Sequence, residues 1–128
     1  MTLSLLLVDD DADFISFLKG ILVDEDVRIS SCANGLSALY HVEKQNFDMI
    51  LLDVGLPDRQ EIGTHVIARC AKDKGMVVVI CSGCVDSLTT ILQGDIQAAD
   101  HHMYKPFPEQ TLLDIVEASQ QKMASSLS

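Results

Sequence analysis

The chain has 128 residues, enough for one domain that buries a core without disulfides or metals. An apolar fraction of 48% excludes a disordered chain, and a formal net charge of −10 opposes direct binding to nucleic acid or to anionic membrane surfaces. The first apolar run ends at Asp9, too early for a signal peptide, and no stretch approaches the roughly 20 apolar residues of a membrane span. A cytoplasmic protein with Cys32, Cys70, Cys81 and Cys84 reduced is therefore expected.

Residues 3–8 are almost continuously apolar, as expected of a strand covered on both faces of a parallel sheet. Ile15, Leu18 and Leu22 then share one face of a first helix. A short strand at 27–31 is followed by the turn signal Asn34-Gly35 and by a second helical stripe in Leu36, Leu39 and Val42. Residues 49–52 and 77–81 are again continuous apolar runs. Between them Pro57 breaks the chain, Ile62, Val66 and Cys70 mark a third helix, and Gly75 ends it. Leu88, Ile91 and Leu92 mark a fourth helix, followed by Gly94 and a short strand at 102–104. After Pro106 and Pro108, the residues Leu112, Val116, Ser119 and Met123 form the stripe of a fifth helix, weakened at Ser119. Strand and helix alternate five times, which implies an α/β fold with a parallel sheet and helices on both faces. One domain over 1–123 is expected, with a frayed tail at 124–128.

Sites in such folds form at the carboxyl ends of the strands. Asp9 and Asp10 follow the first apolar run, Asp53 the third, Ser82 the fourth and Lys105 the fifth. Three carboxylates, a hydroxyl and an ammonium are thus delivered to one edge. Clustered carboxylates raise one another's pKa unless a cation lies between them, and Mg²⁺ suits a site of carboxylates, water and phosphate. Such an ion neutralises charge on a transferring phosphoryl group, and an Asp carboxylate is a competent nucleophile toward phosphorus. Lys105 offers a flexible point charge and Ser82 a hydroxyl donor for a phosphoryl oxygen.

Blander roles compete for the same residues. Asp11 caps the first helix, where acids are electrostatically favoured, and has no metal role. Cys81-Ser82-Gly83-Cys84 is a CxxC after a buried strand, the context of a dithiol redox site, but such a site gives no reason for the acids on the first and third strands. His101 and His102 are adjacent on a strand, point to opposite faces and cannot share one ion. His41 and His65 fall on helices, and Met76 and Met103 are packing residues. A phosphatase with an Asp nucleophile usually carries a second Asp two residues later, where this chain has Gly55.

Leu6-Leu7-Val8-Asp9-Asp10-Asp11, Met49-Ile50-Leu51-Leu52-Asp53-Val54-Gly55-Leu56-Pro57 and Lys105-Pro106-Phe107 together resemble the three signature blocks of response-regulator receiver domains, in order and in spacing, over essentially the whole chain. The resemblance implies a flavodoxin-like (βα)5 fold, doubly wound, with strand order 2-1-3-4-5. Asp53 would be the phosphoacceptor, with Asp10 the main Mg²⁺ ligand, Asp9 a direct ligand or the holder of a metal-bound water, and the Gly55 carbonyl completing the set. Ser82 and Lys105 would move toward the phosphoryl group, and a cis bond would precede Pro106. Partners would be a histidine kinase or histidine phosphotransfer protein upstream, and downstream a protein bound through the fourth helix, fifth strand and fifth helix. Chemistry would be limited to self-phosphorylation and its reversal, so the chain is not expected to be an enzyme; with one helix after Lys105-Pro106-Phe107 and no room for an output domain, it is expected either to act alone by binding a partner or to be a piece of a larger protein.

The chain departs from that pattern at defined places. His102 stands where the family's switch aromatic is found, three residues before the lysine. Gly63 comes later after Pro57 than the family's glycine, which implies a local insertion at Asp58-Arg59-Gln60-Glu61-Ile62 beside the metal site. Gly83 replaces a small alanine, and the segment from residue 82 to 105 is slightly long. A pure interaction module that never turns over phosphate is the main alternative, opposed by the presence of Asp10, Asp53, Ser82 and Lys105.

Overall fold

The computed structural model describes residues 2–83 and 99–126. Strands β1 (Leu3–Val8), β2 (Val27–Cys32), β3 (Met49–Asp53), β4 (Val77–Ser82) and β5 (His101–Tyr104) form one sheet. Its order is β2-β1-β3-β4-β5 and every pairing is parallel, as the resemblance implied. Helices α1 (Ala12–Ile21), α2 (Gly35–Lys44), α3 (Thr64–Asp73) and α4 (Glu109–Ser126) cover it. The fourth helix expected around Leu88, Ile91 and Leu92 lies outside the described residues, as do Cys84 and Gly94. The expected boundary at 123 falls inside α4, which continues through Ser126.

The period-two alternation of the strands divides the core into two layers. Leu5, Leu7, Met49, Leu51, Val79 and Met103 face α1 and α4, meeting Ile15, Leu18, Leu112 and Val116. Leu6, Val8, Ile50, Leu52, Val78 and Ile80 face α2 and α3, meeting Ala38, Val42, Ile67 and Ala71. With both faces covered, β1 and β3 are buried almost throughout, which is why their sequences lack alternation.

Two helix faces differ from expectation. On α2, Leu36 is 65% exposed, whereas Gly35, Ala38 and Val42 are buried. On α3, Val66 is 40% exposed, Ile62 precedes the helix, and the inward residues are Ile67, Ala68 and Ala71. The cause is shared: much of each buried face is made of small residues, Gly35 and Ala38 on α2 and Ala68 and Ala71 on α3, which carry little hydrophobic signal of their own. In α4 the expected weak point is sound, because Ser119 is buried with its Oγ donating to the Ile115 carbonyl at 2.9 Å.

Caps and strand entries set the loops. Asp11 caps α1 as expected, its Oδ1 accepting from the Asp13 amide at 3.0 Å and the Phe14 amide at 3.2 Å. Helix α3 ends at Gly75, whose φ of +83° is left-handed; Gly75 N donates to Lys72 O at 2.9 Å and Met76 N to Ala71 O at 3.0 Å. Asp48 and Asp100 immediately precede β3 and β5, and each grips the neighbouring strand twice. Asp48 N donates to Ser4 O while its Oδ2 accepts from Ser4 N, both at 2.8 Å. Asp100 does the same with Val78, at 2.7 and 2.8 Å, and also pairs with Lys72. Burial works against the Asp100 charge, but these bonds outweigh it and hold its pKa below the ordinary carboxylate value. Both grips lock parallel register at the sheet's amino edge, opposite the site.

Candidate phosphoacceptor site

At the carboxyl edge, each strand end is held by a backbone bond to its neighbour. Asp9 N donates to Cys32 O at 3.1 Å, Val54 N to Cys81 O at 3.2 Å and Lys105 N to Ser82 O at 2.7 Å. These bonds carry the ladders one residue past β1, β3 and β5 and fix where Asp9, Asp53, Ser82 and Lys105 emerge. One carboxylate oxygen from each of Asp9, Asp10 and Asp53 lies within 4.8 Å of the others. Asp9 and Asp53 are buried, at 4% and 6% exposure, whereas Asp10 is exposed. A groove of about 390 Å³ between α1 and the ends of β1 and β2 opens onto Asp9 and Asp10, and Lys19 and Cys32 also line it.

Lys105 is the cation of this cluster in the structure. Its Nζ donates to Asp9 Oδ2 at 2.8 Å and to Asp53 Oδ1 at 3.3 Å. Asp9 Oδ1 accepts from the Asp11 amide at 2.9 Å, so both oxygens of Asp9 are engaged. Burial raises the Asp53 pKa, and the Asp9 charge raises it further; Lys105 and the Gly55 amide offset this without reversing it. For Lys105, burial opposes the charge, but the bond to Asp9 and the charges of Asp53 and Asp9 win, and its pKa is raised. The lysine holds its proton more tightly, while Asp53 ionises less readily because it is buried and lies beside the Asp9 charge. The Lys105–Pro106 peptide bond is cis.

Hard oxygen donors at this spacing, with net negative charge left after one ammonium, fit a small divalent cation. Gly55 sits beside the cluster, and a Cβ there would stand 3.5 Å from Asp53 Oδ2. Ser82 is fully buried at the end of β4. His102 pairs with Ile80 in register, so it shares Ile80's side of the sheet, the α2–α3 side; it is half-buried, and its buried Nε2 has no hydrogen-bond partner among the described residues.

The surroundings of Cys81 do not favour the dithiol alternative. Burial pushes the Cys81 thiol up to about 12, more than Lys105 lowers it, so it is not a poised thiolate. Cys84 lies outside the described residues.

Two contacts were not legible as part of the site. The aromatic face of Phe14, in the first turn of α1, lies 4.2 Å from Lys105 Nζ. Asp58, in the turn after Pro57, reaches across to α2, its Oδ1 accepting from Gly35 N at 2.7 Å and its Oδ2 from Leu36 N at 2.9 Å. Placing the insertion beside the metal site, as expected, is thus incomplete; its acid docks on the start of a helix. The only sequence signal for either was proximity to a motif, an aromatic four residues past Asp10 and an acid next to Pro57.

The family model for the response regulator receiver domain matches residues 5–117. The chain belongs to that family. This receiver is 31% identical over 114 residues to the DNA-binding response regulator MtrA of Mycobacterium tuberculosis, covering 89% of the present chain and 49% of MtrA. It is 27% identical over 117 residues to the chemotaxis protein CheY of Listeria monocytogenes, covering 90% of this chain and 96% of that protein. The chain spans about half the length of the first of these relatives. Among solved structures, the receiver domain of a sensor histidine kinase from Pseudomonas aeruginosa, with a magnesium ion coordinated in its active-site cleft, superposes with a TM-score of 0.75. That match has 21% identity and covers 92% of this chain and 97% of the other, a likeness of fold. As a response regulator receiver, the domain belongs to two-component signalling. Among its described residues no helix is long and apolar enough to cross a membrane.

Proposed function

We propose that this receiver accepts a phosphoryl group on Asp53 from a phosphohistidine presented by a histidine kinase or a histidine phosphotransfer protein. The observation that carries the reading is the convergence of Asp9, Asp10 and Asp53 within 4.8 Å beside the Lys105 ammonium. An oxygen of the Asp53 carboxylate attacks phosphorus in line, the phosphorus–nitrogen bond breaks, and the electron pair leaves with the imidazole. The product is an acyl phosphate that water later hydrolyses.

Asp10, Asp9, Asp53 and the Gly55 carbonyl are the residues that would hold Mg²⁺, which when bound neutralises charge on the phosphoryl oxygens. Lys105 turns from Asp9 toward the new phosphate, and Ser82 donates its hydroxyl to a phosphoryl oxygen. A cation close by favours the ionised form of Asp53, since burial and the Asp9 charge both oppose it. The added charge then biases the surface around His102 and β5 between two populations, altering which protein binds there. His102, half-buried and at the family's switch position, would relay this shift in place of an aromatic ring. The unit of function is the domain through the end of α4, in the cytoplasm, acting through proteins rather than nucleic acid or membrane.

The test is intact-mass measurement after incubation with phosphoramidate and Mg²⁺. Wild type should gain one phosphoryl mass and Asp53→Asn none. A wild type that gains nothing would favour a pure interaction module.

A further inference from the structure

We propose that Phe14 is a positioning residue for Lys105, holding its ammonium over the acidic cluster through the face of its ring. The inference deepens the phosphoacceptor reading and rests on it.

Lysine carries a compact charge on a four-carbon stem with many rotamers, and here the side chain is 23% exposed, so it has a route to solvent. Three groups meet the ammonium on its inner side: Asp9 Oδ2 at 2.8 Å, Asp53 Oδ1 at 3.3 Å, and the Phe14 ring with its centroid 4.2 Å away. The negative face of an aromatic quadrupole attracts a cation at that distance. Phe14 is itself clamped. The Phe107 ring meets it edge-on at 6.0 Å and 87°, and Phe17 flanks it at 6.1 Å. Asp11 fixes the backbone below, accepting from the Phe14 amide at 3.2 Å. Phe107 lies two residues after Lys105, so the segment that supplies the lysine also supplies the wall behind the ring.

A ring is well suited to this place for an electrostatic reason. A third anion would also hold the ammonium, but it would repel an incoming phosphoryl group and compete for the divalent ion. An aromatic face attracts the lysine without adding net charge to a cluster already rich in acid. It also leaves the ammonium's N–H donors for oxygens, so Lys105 can trade Asp9 for a phosphoryl oxygen while staying on the ring.

The test uses the 128-residue chain and the variants Phe14→Leu, Phe14→Met, Phe14→Tyr and Lys105→Met. In NMR spectra the ε-methylene protons of Lys105 should shift upfield by ring current in wild type and Phe14→Tyr, and return to ordinary lysine positions in the aliphatic variants. Phosphoryl uptake from phosphoramidate with Mg²⁺ should slow about two- to fivefold in Phe14→Leu and Phe14→Met and recover in Phe14→Tyr. In a Lys105→Met background, Phe14→Leu should slow it no further. Equal slowing with and without the lysine, a Phe14→Tyr as slow as Phe14→Leu, or an absent ring-current shift would each overturn the role of Phe14. If wild type takes up no phosphoryl group, the phosphoacceptor reading fails and the role falls with it; uptake with additive losses removes the role alone.

Discussion

Lys105 lies closer to Asp9 than to Asp53, donating at 2.8 Å to the first and 3.3 Å to the second. The ammonium therefore neutralises the carboxylates that a divalent ion would use. The two cations compete for Asp9, and Lys105→Met should strengthen Mg²⁺ binding about fivefold or more. An NMR titration of the metal-free protein measures this. Unchanged affinity would mean that lysine and ion do not share Asp9.

Asp53 gives the opposite of a stabilising salt bridge. Its folded pKa is raised by burial and then by Asp9, so the folded state holds the proton more tightly than the unfolded chain. Stability linked to that proton is full below the ordinary carboxylate pKa and is lost as pH rises through the raised folded value. Asp53→Asn removes the penalty and should stabilise the metal-free protein by about 0.5–2 kcal/mol at neutral pH, with the gain vanishing in acid. Thermal unfolding across pH checks both. A destabilised variant at neutral pH would contradict the sign.

The continuous apolar runs of β1 and β3 were readable because both sheet faces are covered, and Asp9, Asp10, Asp53 and Lys105 because they end such runs. Helices α2 and α3 were misread at Leu36 and Val66, where large exposed side chains outweighed the alanines that make the contact. Local spacing marks which residues leave a strand end, not which partner a long side chain chooses across the edge. That is why the tighter pairing of Lys105 with Asp9, the Phe14 face and the reach of Asp58 to α2 emerge only in the folded chain.

Asp58 stabilises α2 from outside the helix. The amides of Gly35 and then Leu36 hold its pKa below the ordinary carboxylate value. Its contribution is present above the unfolded pKa and is lost as pH falls through the lowered folded value. Asp58→Ala should speed hydrogen exchange most at Gly35 and Leu36, with β3 amides unaffected. Uniform acceleration across the sheet would show a global role instead.

Gly75 isolates a pure backbone effect, since a Cβ there meets nothing within 4 Å and only its φ of +83° opposes a side chain. Gly75→Ala should cost about 1–2 kcal/mol in chemical denaturation, and Gly75→Asn less. A neutral Gly75→Ala would place the left-handed cap in doubt.

Burial raises the Cys32 thiol from 9.0 to about 11 and the Cys81 thiol to about 12. Burial thus leaves very little of either thiol as thiolate at neutral pH, least of all at Cys81. Iodoacetamide should therefore label both far more slowly in the folded protein than after denaturation. Rapid native labelling of Cys81 would reopen the redox reading.

The most direct measurement traps the acyl phosphate itself. Wild type is treated with phosphoramidate and Mg²⁺, reduced with borohydride, digested and sequenced by tandem mass spectrometry. Residue 53 should appear as homoserine, the reduction product of an aspartyl phosphate. Aspartate unchanged at 53, or homoserine at residue 9 or 10 instead, would contradict the assignment.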